Sequence, residues 1–142
     1  MSQTTVHADQ GAPASGRKIP APQMNLESKP FWDAAREGRF LIKRCTACGE
    51  AHWYPRTICP FCNSDATRWV ESPGEGVLYS YSVMRRGAPT PYAIAYVTLD
   101  EGVSVLTNIV GTDLDALAIG QRMKLQWTPS EGGPPVFTFA AA

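Results

Sequence analysis

The chain has 142 residues, 44% of them hydrophobic, which is enough for one compact domain or two very small ones and too little for a large multidomain enzyme. Thirteen basic residues balance thirteen acidic ones at a pI near 6.7, so no global field recruits nucleic acid or anionic lipid. There are two histidines, and His7 lies in a stretch too polar to order, which leaves His52 alone to serve a folded site and supplies histidine catalysis poorly.

Residues 1–25 read as a flexible tail: up to Gln23 they carry one Val and one Ile among Ala, Pro, Gly, Ser and Thr, too little apolar surface to offset the entropy of ordering. The N-terminus has no apolar segment after a basic start, and no run of about eighteen apolar residues occurs. The expectation is a cytoplasmic protein with no membrane partner. In a reducing compartment its four cysteines are better suited to a metal than to disulfides.

Residues 26–39 predict a short helix, with Ser28 as cap, Pro30 in the first turn, Asp33 near the N-terminus and Gly38 as the stop. Phe31 and Trp32, with Ala35 one turn on, form an aromatic end that must bury against the chain's own body or a partner. The reading takes this segment as a docking helix, with Phe31 and Trp32 as partner-binding residues.

Residues 40–72 start with a strand, Phe40 to Cys45, that leads into two CxxC knuckles, Cys45/Cys48 and Cys59/Cys62, with ten residues between them. Two residues between thiolates let both sulfurs reach one tetrahedral ion at about 2.3 Å, and two facing knuckles close a four-sulfur shell. Gly49 and Asn63 each follow the second cysteine of a knuckle, where a left-handed backbone is needed. The reading is a zinc ribbon with a structural Zn2+ held by Cys45, Cys48, Cys59 and Cys62. Iron in a rubredoxin-like site and a redox-active CPFC are the alternatives. With zinc bound, four thiolates and one dication leave the formally neutral chain slightly acidic. His52, between the knuckles, is given a surface or packing role.

Residues 73–142 change to period-two alternation, the mark of half-buried strands. In Val77 to Met84, the reading puts Val77, Tyr79, Tyr81 and Val83 on the core face. Strands follow at Ala93 to Leu99 and Val103 to Ile109, joined by a turn at Asp100 to Gly102. Thr112 to Gly120 predicts one or two helical turns, and strands at Arg122 to Trp127 and Val136 to Phe139 complete the set. Five strands with a short helix between the third and fourth is the element order of an OB-fold barrel, although another small barrel or half-sandwich fits alternation equally. The fold class is therefore mainly β: a short helix, a four-cysteine ribbon, then a five-stranded barrel.

Little else carries chemistry. No GxSxG or P-loop occurs, Gly74 to Gly76 is a turn leading into a strand, and the carboxylates at Asp100, Glu101, Asp113 and Asp115 sit at turns or caps. Arg85 and Arg86, with Lys43 and Arg44, are candidates to contact the phosphates of coenzyme A, against the plainer reading of a solvated strand end. Tyr79, Tyr81, Tyr92 and Tyr96 would be stacking platforms in a nucleic-acid-binding barrel, but the basic groove is missing, so nucleic acid is disfavoured.

PFWDAAREGRFLIKRCTACGEAHWYPRTICPFCNS, SPGEGVLYSYSVMRR, PYAIAYVTLDEGVSVLTNIVG and IGQRMKLQW together resemble the OB-fold proteins with a rubredoxin-like zinc ribbon known as domain of unknown function thirty-five, described as acyl-CoA-associated. The resemblance covers about residues 26 to 140. It implies a small partner of thiolase-like enzymes, of MaoC-type enoyl-CoA hydratases, or of lipid-transfer-protein-type aldolases acting on steroid side chains. The catalytic Cys and His would then belong to the partner chain, and only the four metal ligands carry over residue by residue. Two functions follow: a non-catalytic accessory subunit that helps shape the acyl-CoA site, or a stand-alone module binding acyl-CoA or single-stranded nucleic acid. An enzyme acting alone is the weakest reading.

Overall fold

A computed structural model describes residues 18–142; residues 1–17 of the expected tail lie outside the described residues. The remainder of that tail is already held to the barrel, because the Ile19 carbonyl accepts the Glu131 N–H at 2.8 Å and Pro20 bridges to Glu131.

Helix α1 spans Lys29–Ala35. Ser28 holds the N-cap position as expected, but its side chain caps no helix N–H and pairs upstream instead: the Asn25 side-chain oxygen accepts the Ser28 N–H at 2.8 Å while Ser28 Oγ accepts the Asn25 N–H at 3.1 Å. This reciprocal pair satisfies the N–H groups at both ends of the turn that leads into the helix. The helix turns Phe31, Trp32, Ala34 and Ala35 into the body of the chain. Phe31 is 0% and Trp32 5% exposed, packed against Phe40, Trp53 and Phe137 with ring centroids 4.5 to 6.3 Å apart. This corrects the expectation that Phe31 and Trp32 face a partner: the chain's own ribbon and barrel supply enough aromatic surface to bury both.

The ribbon sheet has the order β2-β1-β3, with β1 at Phe40–Cys45, β2 at Ala51–His52 and β3 at Thr67–Ser72, all antiparallel. Five further strands close a barrel: β4 (Glu75–Met84), β5 (Tyr92–Leu99), β6 (Ser104–Ile109), β7 (Arg122–Thr128) and β8 (Val136–Ala141), in the order β4-β5-β6-β8-β7. A 3-10 turn at Leu114–Ala116 separates β6 from β7, capped by the Asp113 carboxylate on the Asp115 N–H. The one parallel pairing among the barrel strands, β6 with β8 at Ile109 and Phe139, together with the β4–β7 ladder, closes the ring and leaves the barrel no free edge. The observed fold is mainly β, a short helix and four-cysteine ribbon followed by a five-stranded OB barrel, as the element order predicts; the half-sandwich that alternation also allowed is not formed.

β4 departs from strict alternation. Gly76 and Leu78 pair with the buried Leu99 and Val97, so even-numbered residues face inward there. A register shift between Leu78 and Ser80 then places Tyr79 as the extra residue of a bulge. Beyond it Tyr81 and Val83 pair with buried Ala95 and Ala93, and odd-numbered residues face inward instead. The expected stripe of Val77, Tyr79, Tyr81 and Val83 is therefore split: Tyr79 stands 66% exposed, while Tyr81 lies at the barrel mouth with its hydroxyl donating to the Leu117 carbonyl at 3.1 Å. Gly76 is required by proximity, since a Cβ there would meet the Leu99 Cα at 2.8 Å.

Candidate metal centre

Each knuckle is built by the same local rule. In the first, the Gly49 N–H donates to the Cys45 carbonyl at 2.8 Å; in the second, the Asn63 N–H donates to the Cys59 carbonyl at 2.9 Å. Gly49 at φ +82 and Asn63 at φ +64 take the left-handed turn that the sequence predicts for these two positions. The Cys45 N–H then bonds the Glu50 carbonyl at 2.9 Å and the Cys59 N–H bonds the Ser64 carbonyl at 2.8 Å, closing two equivalent loops.

These loops bring the four sulfurs within 4.8 Å of one another. Cys45 and Cys62 are 3.7 Å apart, as are Cys48 and Cys59. A disulfide needs about 2.0 Å, whereas sulfurs about 2.3 Å from a central ion form a tetrahedron with edges of about 3.8 Å. The donor set therefore fits one thiophilic ion in a closed shell. Electrostatics points the same way: the Cys48 and Ala47 N–H groups draw the Cys45 thiol down to about 7, while the Ser64 N–H on Cys62 is outweighed by burial and the neighbouring thiols, which push it up to about 12. Four thiolates cannot share so small a volume without a cation between them. Cys45 and Cys59 are buried and Cys48 and Cys62 exposed, so the shell is half sunk in the ribbon.

His52 does not belong to this shell. It is buried, its Nε2 accepts the Arg56 N–H at 3.3 Å, and burial followed by the charges of Lys43 and Arg56 holds its pKa below the usual imidazole value. Lys43, opposite His52 across β1 and β2, lies over the Trp69 ring at 4.6 Å and donates to Thr67 Oγ1 at 3.4 Å; burial lowers its pKa. Arg44 donates to the Gly49 carbonyl at 2.7 Å. At the end of β4, Arg85 pairs with Asp115 at 2.7 Å, whereas Arg86 is exposed and makes no ion pair among the described residues. The structure thus uses Lys43 and Arg44 inside the ribbon and leaves Arg86 the most available of the four.

The architecture defines a class: a four-cysteine ribbon packed through one helix onto an OB barrel. Family models place a rubredoxin-like zinc ribbon domain of ChsH2 at residues 32–68 and the C-terminal OB-fold domain of ChsH2 at residues 69–128. The solved structure titled Ltp2-ChsH2(DUF35) aldolase is 32% identical, with a TM-score of 0.74 over 84% of this chain and 98% of that one. The chain belongs to the DUF35 family, of the ChsH2 type. Among curated relatives, a probable enoyl-CoA hydratase alpha subunit of Thermomonospora curvata is 34% identical over 79% of this chain and 36% of its own length. The benzoylsuccinyl-CoA thiolase subunit BbsA of Geobacter metallireducens is 29% identical over 61% of this chain and 60% of its own. The chain thus spans about a third of the length of the first relative and well over half of the second. Among the described residues no helix is long and apolar enough to cross a membrane.

Proposed function

We propose that this chain is a non-catalytic accessory subunit of a thiolase-like acyl-CoA enzyme, a thiolase or a lipid-transfer-protein-type aldolase acting on lipid or steroid side chains, with Zn2+ in its four-cysteine site. The observation that carries this reading is the match to nearly the whole ChsH2(DUF35) chain of an aldolase, by a protein whose four cysteines form one cluster and whose one described histidine is buried and hydrogen-bonded. On this reading the nucleophile and base come from the partner enzyme. The names of the hydratase and thiolase subunits among its relatives support an acyl-CoA setting, with a MaoC-type hydratase as a further partner.

When bound, the ion supplies structure: a closed sulfur shell has no open position for substrate or water, and its binding energy, on the order of 10 kcal/mol, holds together the two knuckles, which lie beyond the aromatic core that packs β1 against the helix and barrel. Cys45, Cys48, Cys59 and Cys62 hold it. Arg86, and Arg85 once released from Asp115, would meet coenzyme A phosphates at the partner's site. The test is co-expression of the full chain with thiolase-fold enzymes of the same genome, followed by native mass spectrometry. A complex containing one zinc per chain, in which acyl-CoA turnover needs the enzyme's cysteine, is expected. Turnover by this chain alone, or no complex with any such enzyme, overturns the reading.

A further inference from the structure

One face of the ribbon sheet holds more hydrogen-bond donors than acceptors. Trp69, Lys43 and His52 form a row on it across β3, β1 and β2. His52 is buried with its Nε2 accepting the Arg56 N–H, so the neutral ring carries its proton on Nδ1, which finds no partner among the described residues. Lys43 is 9% exposed, yet its ammonium meets only the face of Trp69 and one acceptor, Thr67 Oγ1 at 3.4 Å, beyond the usual N–H···O range. Glu27 acts on it from a distance: that carboxylate accepts the Thr57 N–H at 2.7 Å, and no ion pair joins Lys43 to any carboxylate among the described residues. A buried ammonium with so few partners is costly unless a counter-ion stands close by.

Strand geometry says where that counter-ion lies. Side chains two apart on a strand share a face, so Lys43 and Cys45 project the same way, about 7 Å apart. Thr67, whose hydroxyl Lys43 reaches, is the direct partner of Cys45 across β1 and β3. The ammonium therefore leans along the sheet toward the sulfur cluster, where four thiolates around one dication carry a charge of −2. Arg44 and Arg68 oppose each other on the other face of the same two strands, half-buried and exposed respectively, where water screens them.

We propose that Lys43 is the charge partner of the metal–thiolate shell, a buried cation whose place in the ribbon is stabilised by the negative charge that the four cysteines carry around Zn2+. The proposal rests on the reading that Zn2+ occupies this site, and adds a residue outside the four ligands that sets how tightly the ion is held.

Zinc affinity of the full chain, read by competition with a chromogenic chelator at neutral pH, tests it. Attraction to two negative charges over about 8 Å is worth about tenfold even in a largely aqueous dielectric, so Lys43→Met and Lys43→Gln should each weaken zinc binding about tenfold. Lys43→Arg keeps the charge and Arg68→Gln removes a screened one, so both should stay within about threefold of wild type. The metal-free chain should respond with the opposite sign: with no shell to pair with, Lys43→Met should unfold at the wild-type urea midpoint or above it, whereas a packing role would lower that midpoint. Neutral variants that bind zinc like wild type, an arginine variant as weak as the methionine one, or a lowered metal-free midpoint each overturn the charge pairing and leave the zinc reading standing. A wild-type chain that binds no zinc overturns both.

Discussion

Truncating Phe31 to Ala tests whether the helix belongs to the core. The ring is fully buried and meets four aromatic neighbours, Trp32, Phe40, Trp53 and Phe137, at centroid distances of 4.8, 5.7, 4.5 and 5.7 Å. Those neighbours come from α1, β1, the ribbon loop and β8, so no single rigid element can move in to fill the void. Phe-to-Ala losses in cores run about 3–5 kcal/mol, and the edge-on ring contacts favour the upper end, about 4–5 kcal/mol. With a urea slope of about 2 kcal/mol/M, the midpoint should fall by roughly 2 M. The assay is urea unfolding of the free, metal-loaded chain followed by tryptophan fluorescence, with Phe31→Leu as an intermediate point. An unchanged midpoint, with loss only of subunit binding, would refute the burial argument and return Phe31 to a docking role.

Gly76→Ala should cost about 3 kcal/mol or prevent folding, because its Cβ collides with β5 backbone rather than with a side chain that could turn away; thermal melting at or near the wild-type temperature would contradict this. Asn63→Gly should melt like wild type, whereas Asn63→Val should lose about 1–2 kcal/mol and bind metal more weakly in a chromogenic chelator competition, since a β-branched residue resists the left-handed turn. His52 has a lowered pKa in the folded chain, so the unfolded chain takes up its proton first as pH falls through about 6.5. Stability from this group is complete above that pH and is lost as pH falls toward the folded value; His52→Gln should flatten that part of the wild-type curve at equal metal content, and parallel curves would refute the assignment. Cys62→Ser should reduce bound zinc below one per chain by elemental analysis, and full occupancy would show that three sulfurs suffice.

The metal centre was legible because its determinants are local. Two CxxC spacings and the residues after them, Gly49 and Asn63, fix both knuckles within a few residues each, and the pairing of Leu99 with Val103 around Gly102 closes the β5–β6 hairpin on the same basis. What escaped depends on contacts far apart in sequence. β3 carries Arg68, Glu71 and Ser72 and shows no apolar alternation; it is a strand because β1 offers it a ladder from Phe40–Ser72 to Cys45–Thr67. The bulge at Tyr79 leaves no mark on the pattern VLYSYSVM, yet it reverses which residues face the core. The apolar end of α1 announces that it must be buried, but only the assembled fold shows that Phe137 and Trp53 bury it.

One strand explains why ribbon and barrel behave as a unit. β1 begins at Phe40, in ring contact with Phe31, Trp53, Trp127, Phe137 and Phe139, and ends at Cys45, a member of the sulfur cluster. Six residues, about 20 Å of extended chain, thus connect the sulfur cluster to the aromatic junction with the barrel. β3, paired along the whole of β1, runs from Thr67 beside that cluster to Ser72, and Gly74 and Glu75 then start the barrel. An ion that fixes Cys45 therefore also fixes the register of the two strands that deliver the chain to the barrel. The aromatic cluster in turn resists any tilt of the ribbon by burying Phe31, Phe40 and Phe139 completely. Metal loss should accordingly loosen the barrel entry at Gly74–Gly76 as well as the knuckles, a spread that hydrogen exchange of the β4 and β7 amides would reveal and that exchange confined to residues 45–66 would disprove.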